Sequence, residues 1–144
     1  WLAIGAWRMR PAEPLLASEP VRAIARDILK RHRKRLKRRG HRLAGLGDHA
    51  RHKARIEAKK LRYAAEFFAS LWTSKKAKAR YDRFLEALEK LQNRLGELND
   101  RATAVGLLER YGIEMPAPDQ SDKKLLGKAA KAYDQLMDIK PFWR

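Results

Sequence analysis

The sequence predicts an all-α fold, an antiparallel four-helix bundle. Apolar residues recur at spacings of three and four through four separate stretches, which is the buried stripe of a helix. Glycine and proline punctuate the gaps between those stretches. No segment alternates apolar and polar residues with the period of two that a strand requires. The gaps are short, and short connections make successive helices antiparallel neighbours.

Residues 1–10 open with the apolar run WLAIGAW, which reads as the end of a helix whose beginning is absent. The sequence starts at Trp1 without an initiator Met, so it reads as a piece of something longer. An exposed apolar helix end of this kind calls for a partner, either the rest of the same polypeptide or a second copy. Pro11 and Pro14 mark residues 11–19 as a linker, and residues 20–144 are expected to form the bundle.

The first complete helix is expected over about residues 19–43, with Ser18 as N-cap and Pro20 in its first turn. Val21, Ala25, Ile28, Leu36 and Leu43 form its core stripe, and His32 and Arg39 fall on the same stripe. Arg31, Arg35, Arg38 and Arg42 stack beside it as a basic row. Residues 30–39, KRHRKRLKRR, hold no acid. Like charges one turn apart are unfavourable by a few tenths of a kcal/mol each, so this run calls for an anion.

Gly40, Gly45 and Gly47 loosen the chain before a second helix over residues 48–73, with Asp48 as N-cap. Its seam is Ala54, Ala58, Leu61, Ala65, Phe68 and Trp72. A basic row of Arg51, Arg55, Lys59 and Arg62 lies roughly a quarter-turn away, with His52 at its edge and Glu66 one turn past Arg62. Ser74 caps a third helix over about residues 75–111, whose seam runs Tyr81, Phe84, Leu88, Leu91, Leu95, Leu98, Ala102 and Val105. Gly96 sits beside this seam, where it permits close approach of another helix. Asn99 and Asp100, neither favoured inside a helix, follow one turn later. Gly112 ends the helix, and Pro116 and Pro118 form a loop. A fourth helix over about 120–139 buries Leu125, Ala129, Tyr133 and Leu136, and the tail Pro141 to Trp143 is expected to pack back on the bundle.

Composition narrows the functional classes. The 144 residues carry 34 Lys and Arg against 17 Asp and Glu, a formal net charge of +17. Such a field strains the compact state and gathers polyanions: nucleic acid, anionic lipid or a phosphate polymer. With no cysteine there is no disulfide and no thiolate metal site, and a reducing compartment fits. There is no apolar run of membrane-spanning length and no secretory signal pattern. A glycine-rich phosphate loop, a serine or cysteine nucleophile constellation and paired carboxylates in a basic pocket are all missing, so no catalysis is expected. Asp48, His49 and His52 are the one grouping with metal-ligand spacing. Their cationic surround and lack of cysteine weigh against a metal, and no cofactor is expected.

Two segments carry a family resemblance. HKARIEAKKLRYAAEFF (residues 52–68) and LQNRLGELNDRATAVGLLE (residues 91–109) resemble the CHAD family, the conserved histidine α-helical domains. His52, Arg55, Lys59 or Lys60, and Leu61-Arg62-Tyr63 follow the first family pattern in order. Leu91-Gln92, Leu95-Gly96 and Leu98-Asn99-Asp100 follow the second. The resemblance implies two similar four-helix bundles related by a pseudo-two-fold, of which this chain looks like the second. It also implies binding of inorganic polyphosphate in a basic groove or channel between the helices, and it does not imply catalysis. The expected location is cytoplasmic, with polyphosphate granules one place for it. CHAD domains often stand beside a CYTH domain, an expected neighbour in the full protein, although nothing in these residues resembles one.

On this reading the binding residues are Arg31, Arg35, Arg38, Arg39, Arg42, Arg51, His52, Arg55, Lys59, Lys60 and Arg62, with Tyr63, Gly96, Asn99 and Asp100 structural. Arg51, Arg55 and Lys59 crowd His52, which should keep its imidazole neutral until an anion binds. Tyr63 is expected to be at least partly core. Asn99 and Asp100 are expected to bond to helix ends or to a motif arginine. The resemblance also favours one shared groove between Arg35, Arg38 and Arg42 of the first helix and Arg55, Lys59 and Arg62 of the second; periodicity alone leaves the bundle's handedness open. The plain alternatives are that the charge rows are solvated faces and that His52 is a structural histidine. Rows flanking two successive core seams with almost no countercharge weigh against the first. Nucleic acid is the rival ligand, since phosphate contacts alone do not exclude it. The absence of any aromatic residue between Arg8 and Arg62 argues against base stacking.

Overall fold

The computed structural model describes residues 19–114 and 120–144. The expected helix end within residues 1–10, the linker up to Ser18 with its cap, and Pro116 and Pro118 lie outside the described residues. The helices are α1 (Glu19–Arg39), α2 (Asp48–Phe67), α3 (Lys75–Arg110) and α4 (Gln120–Asp138). The described residues contain no strand. Each helix packs on the next, and α4 closes the ring on α1 and the turn after it. Cross-helix pairs run in opposite directions: His52 meets Asn99 and Arg62 meets Gln92, while Lys90 meets Gln135 and Arg101 meets Asp122. Neighbours are therefore antiparallel.

The core is one leucine-rich cluster of Leu29 and Leu36 from α1, Phe84, Leu88, Leu91, Leu95 and Leu98 from α3, and Leu136 from α4. α2 contributes mostly Ala54, Ala58 and Ala65 around Leu61, so its neighbours' leucines reach close to its backbone. The tail does more than pack back. Phe142 and Trp143 are fully buried, and their rings meet Trp72, Tyr81 and Phe84 edge-on at 5.3, 5.1 and 5.2 Å. Trp72 reaches this cluster from beyond α2, which ends at Phe67 and gives way to a tight turn over Ala69–Leu71. Ser74 Oγ accepts from the Ala77 amide at 3.2 Å as the N-cap of α3, and Gly112 ends that helix with φ 69°.

Several local expectations change. α2 ends at Phe67 and not at residue 73, and Arg39 is exposed while Leu29 takes its place in the α1 stripe. α1 stops at Arg39, four residues early. Tyr133 is responsible: its ring lies against Gly40, and its hydroxyl donates to the Lys37 carbonyl at 2.7 Å, satisfying one of the helix's last free acceptors. In return Arg33 of α1 donates to the carbonyls of Met137 and Ile139 at 2.7 and 3.3 Å, so α1 and α4 cap each other. Arg42 consequently leaves the basic row and sits in a turn with φ 54°. At α2 the N-cap is Gly47, and Asp48 is the first helical residue, paired with Arg51. A carboxylate there still favours the helix dipole. Tyr63 is 63% exposed and not core, because α2 buries the opposite face.

The Gly40 contact gives a direct test. A Cβ built there would lie 2.3 Å from Cε2 of Tyr133, well inside contact distance. Gly40→Ala should therefore lower stability by about 1–3 kcal/mol, the usual cost of overpacking. Gly45→Ala, with nothing within 4 Å of the added Cβ, should change it far less. Equal urea midpoints for the two variants would show that Tyr133 does not pack as described.

Candidate functional site

α2 has two flanks, and the fold sends them to different neighbours. Arg55 and Lys59 line a groove of about 480 Å³ against Gln92, Asn93, Gly96, Glu97 and Asp100 of α3. Arg62 borders it, donating to Glu66 Oε1 at 2.8 Å and Gln92 Oε1 at 3.2 Å. His52 lies farther along the same interface, with Nδ1 3.0 Å from Asn99 Oδ1. The two sequence motifs therefore face one another across the α2/α3 interface.

The opposite flank of α2 meets α1. His32 Nδ1 is 3.8 Å from Glu57 Oε2, and both side chains are largely buried. A second cleft of about 430 Å³ opens there, lined by Arg38, Arg39, His49, Ala50 and Lys53. The expected shared groove of Arg35, Arg38 and Arg42 with Arg55, Lys59 and Arg62 does not form. Bundle handedness turns the α2 row toward α3, and Arg42 has left the helix. The α2 cation that actually lines the cleft with Arg38 and Arg39 is Lys53.

The cations divide by what they touch. Arg51 is held by Asp48 and the Leu46 carbonyl, and Arg62 by Glu66 and Gln92. The hydrogen bond to Glu66 is the largest influence on Arg62 and raises its pKa. Arg62 ties α2 to α3, whereas Arg51 only closes the first turn of α2. Arg31, Arg35, Arg38, Arg39, Lys53, Arg55, Lys59 and Lys60 make no ion pair with any acid among the described residues. All but the half-buried Arg55 are exposed. By helical phase, Lys53, Lys59 and Lys60 lie around the outer side of α2 and join the α1/α2 cleft to the α2/α3 groove.

The remaining motif residues take specific positions. Gly96 forms part of the groove wall, and a Cβ there would meet only Arg55 Nε at 4.0 Å. The approach it faces is that of the Arg55 side chain, not of a packed helix. Asn99 holds the histidine, where an arginine or a helix end was expected, and Asp100 lines the groove. Glu97 also lines it but is bound to Arg94 at 3.0 Å, so the α3 wall is mixed in charge.

Lys53, His49 and Glu57 were missing from the sequence-based site. The buried Glu57 had a signal, since a histidine on a core stripe at His32 calls for a polar partner. Among the described residues no three of His, Asp or Glu gather to hold a metal ion, and no helix is long and apolar enough to cross a membrane. Compared with known proteins, the chain matches the family model described as CHAD domain over residues 1–109. That span includes both motifs and stops before α4 and the tail. No curated protein and no solved structure matches the chain.

Proposed function

The chain belongs to the CHAD family, and from that membership we propose that it is an inorganic polyphosphate-binding module with no catalysis of its own. One observation carries the reading: a band of cations without acidic partners among the described residues runs from α1 across α2 into the α2/α3 groove. A chain of phosphates supplies the missing countercharge along the whole band, whereas a single small anion reaches only a few members of it.

Nucleic acid is the competing ligand, and exposed aromatic rings are the feature in its favour: Tyr63 and Phe67 on α2 and Tyr111 at the end of α3, 63%, 79% and 75% accessible. Phe67 lies ten residues beyond Glu57, about 15 Å along α2 from the basic half of α1, which meets Glu57 through His32. Tyr63 is one turn from Lys59 and Lys60, so a base stacked there would engage only that end of the band.

The test is binding by polymer length and by competition. Affinity should rise with polyphosphate length until the band is spanned and fall steeply with salt, because each phosphate contact releases counterions. Polyphosphate should displace single-stranded DNA far better than the reverse, and no orthophosphate should be released with divalent metal present. DNA winning the competition, or steady phosphate release lost on His52→Ala, would overturn the proposal.

A further inference from the structure

A third cavity, of about 260 Å³, lies away from both family motifs, between α1 and the C-terminal tail. Lys30, Arg33, Lys34 and Lys37 of α1 form one wall, and Pro141, Trp143 and Arg144 form the other. No Asp or Glu side chain lines it. The four α1 residues share the flank opposite the one that meets α2.

Arg33 is the member the fold treats most harshly. It is half-buried, and its guanidinium pKa is lowered by burial and then by Arg144. Its Nη2 donates to the Met137 and Ile139 carbonyls, but its buried Nε has no hydrogen-bond partner. A half-buried cation with a cationic neighbour and no acidic side chain lining the same cavity is held at a cost, which the countercharge of an anion in the cavity lowers.

We infer that this cavity is a discrete site for a compact, multiply charged phosphate anion of pyrophosphate size, whose binding fastens the C-terminal tail onto α1. The site differs from the band proposed above in position and in the ligand length it rewards. Small size follows from the cavity's volume of about 260 Å³. Multiple charge follows from the number of cations that converge without countercharge. Coupling to the tail follows because Trp143 is at once a wall of the cavity and a fully buried core residue. An anion held between Lys34 and Arg144 bridges helix and tail.

Pyrophosphate is the probe, titrated calorimetrically and in thermal melts at constant ionic strength, with sodium chloride as control. One equivalent should bind, and the melting temperature should rise by mass action. Lys34→Gln with Arg144→Gln, both exposed in the free protein, should weaken pyrophosphate at least tenfold. Arg55→Gln with Lys59→Gln should leave it within about twofold. Long-chain polyphosphate is then added to the pyrophosphate-saturated protein. Displacement assigns the site to the polymer's terminal groups, and co-binding assigns it to the free anion; either supports the site. No stoichiometric pyrophosphate binding, or equal losses in the two double variants, would overturn it. A protein that binds pyrophosphate this way but no long polymer would keep this site and refute only the band.

Discussion

Trp143→Ala should destabilise the bundle by about 3–5 kcal/mol, the range for emptying a buried aromatic site. That is a large part of the roughly 5–15 kcal/mol that holds a domain folded. Trp143 is 1% exposed and meets Phe84 at 5.2 Å and Phe142 at 4.9 Å, both edge-on. Its ring and that of Phe142 link the tail to α3 and to Trp72, so the vacated space borders several rigid elements and collapses poorly. Urea denaturation reads the effect as a lowered midpoint. The half-buried Trp72 is the comparison, and Trp72→Ala should cost less. A loss below about 1 kcal/mol for Trp143→Ala would mean that the tail is not part of the core. The variant should also lose the thermal shift with pyrophosphate, because the cavity's outer wall goes with the ring.

Replacing Arg31, Arg35, Arg38 and Arg39 together with Gln should weaken long-chain polyphosphate by about a thousandfold at low salt. The figure takes roughly 1 kcal/mol per cation against an anionic surface, four times over. The same variant should be as stable as the parent or slightly more so. None of the four has an acidic partner among the described residues, and removing like charges one turn apart relieves a few tenths of a kcal/mol each. A control of Lys123, Lys124, Lys128 and Lys131 to Gln removes the same charge from exposed positions on α4. It should lower affinity much less. Equal losses would make net charge, and not a band, the basis of binding. Loss of affinity with opposite effects on stability is the signature of residues held for a ligand.

The helices themselves were legible because their signals are local. The seam of α3 at Phe84, Leu88, Leu91, Leu95 and Leu98 is an unbroken three-four pattern, and Ser74 and Gly112 bound it by hydrogen bonding and backbone freedom that their own residue types supply. The end of α1 was less so. Gly40 is a local signal that the helix can stop there, but the apolar spacing runs on to Leu43 and does not say which of the two wins. The deciding residue is Tyr133, more than ninety positions away, which occupies the space beside Gly40 and takes over the Lys37 carbonyl. Tyr63 was misread for a different reason: two residues from Leu61, it lies about 200° round the helix on the face opposite the seam, so periodicity alone already placed it outside the core.

The candidate site divides along the same line. The sequence by itself determined that the chain is an all-α bundle, that two motifs of one family lie on its second and third helices, and that its basic residues outnumber anything available to neutralise them. Those properties reside in composition and in helical phase, which each segment carries alone. Tertiary structure decided which flanks meet. It turned Arg55 and Lys59 toward Gly96 and Asp100 instead of toward Arg35 and Arg38, tied Arg62 to Gln92 of α3, and used the other side of α1 to build a cavity with Trp143 and Arg144. Helical phase says how far round a helix a charge lies but not which neighbour stands there. Bundle handedness fixes that, and it emerges only when all four helices and the tail pack around one core.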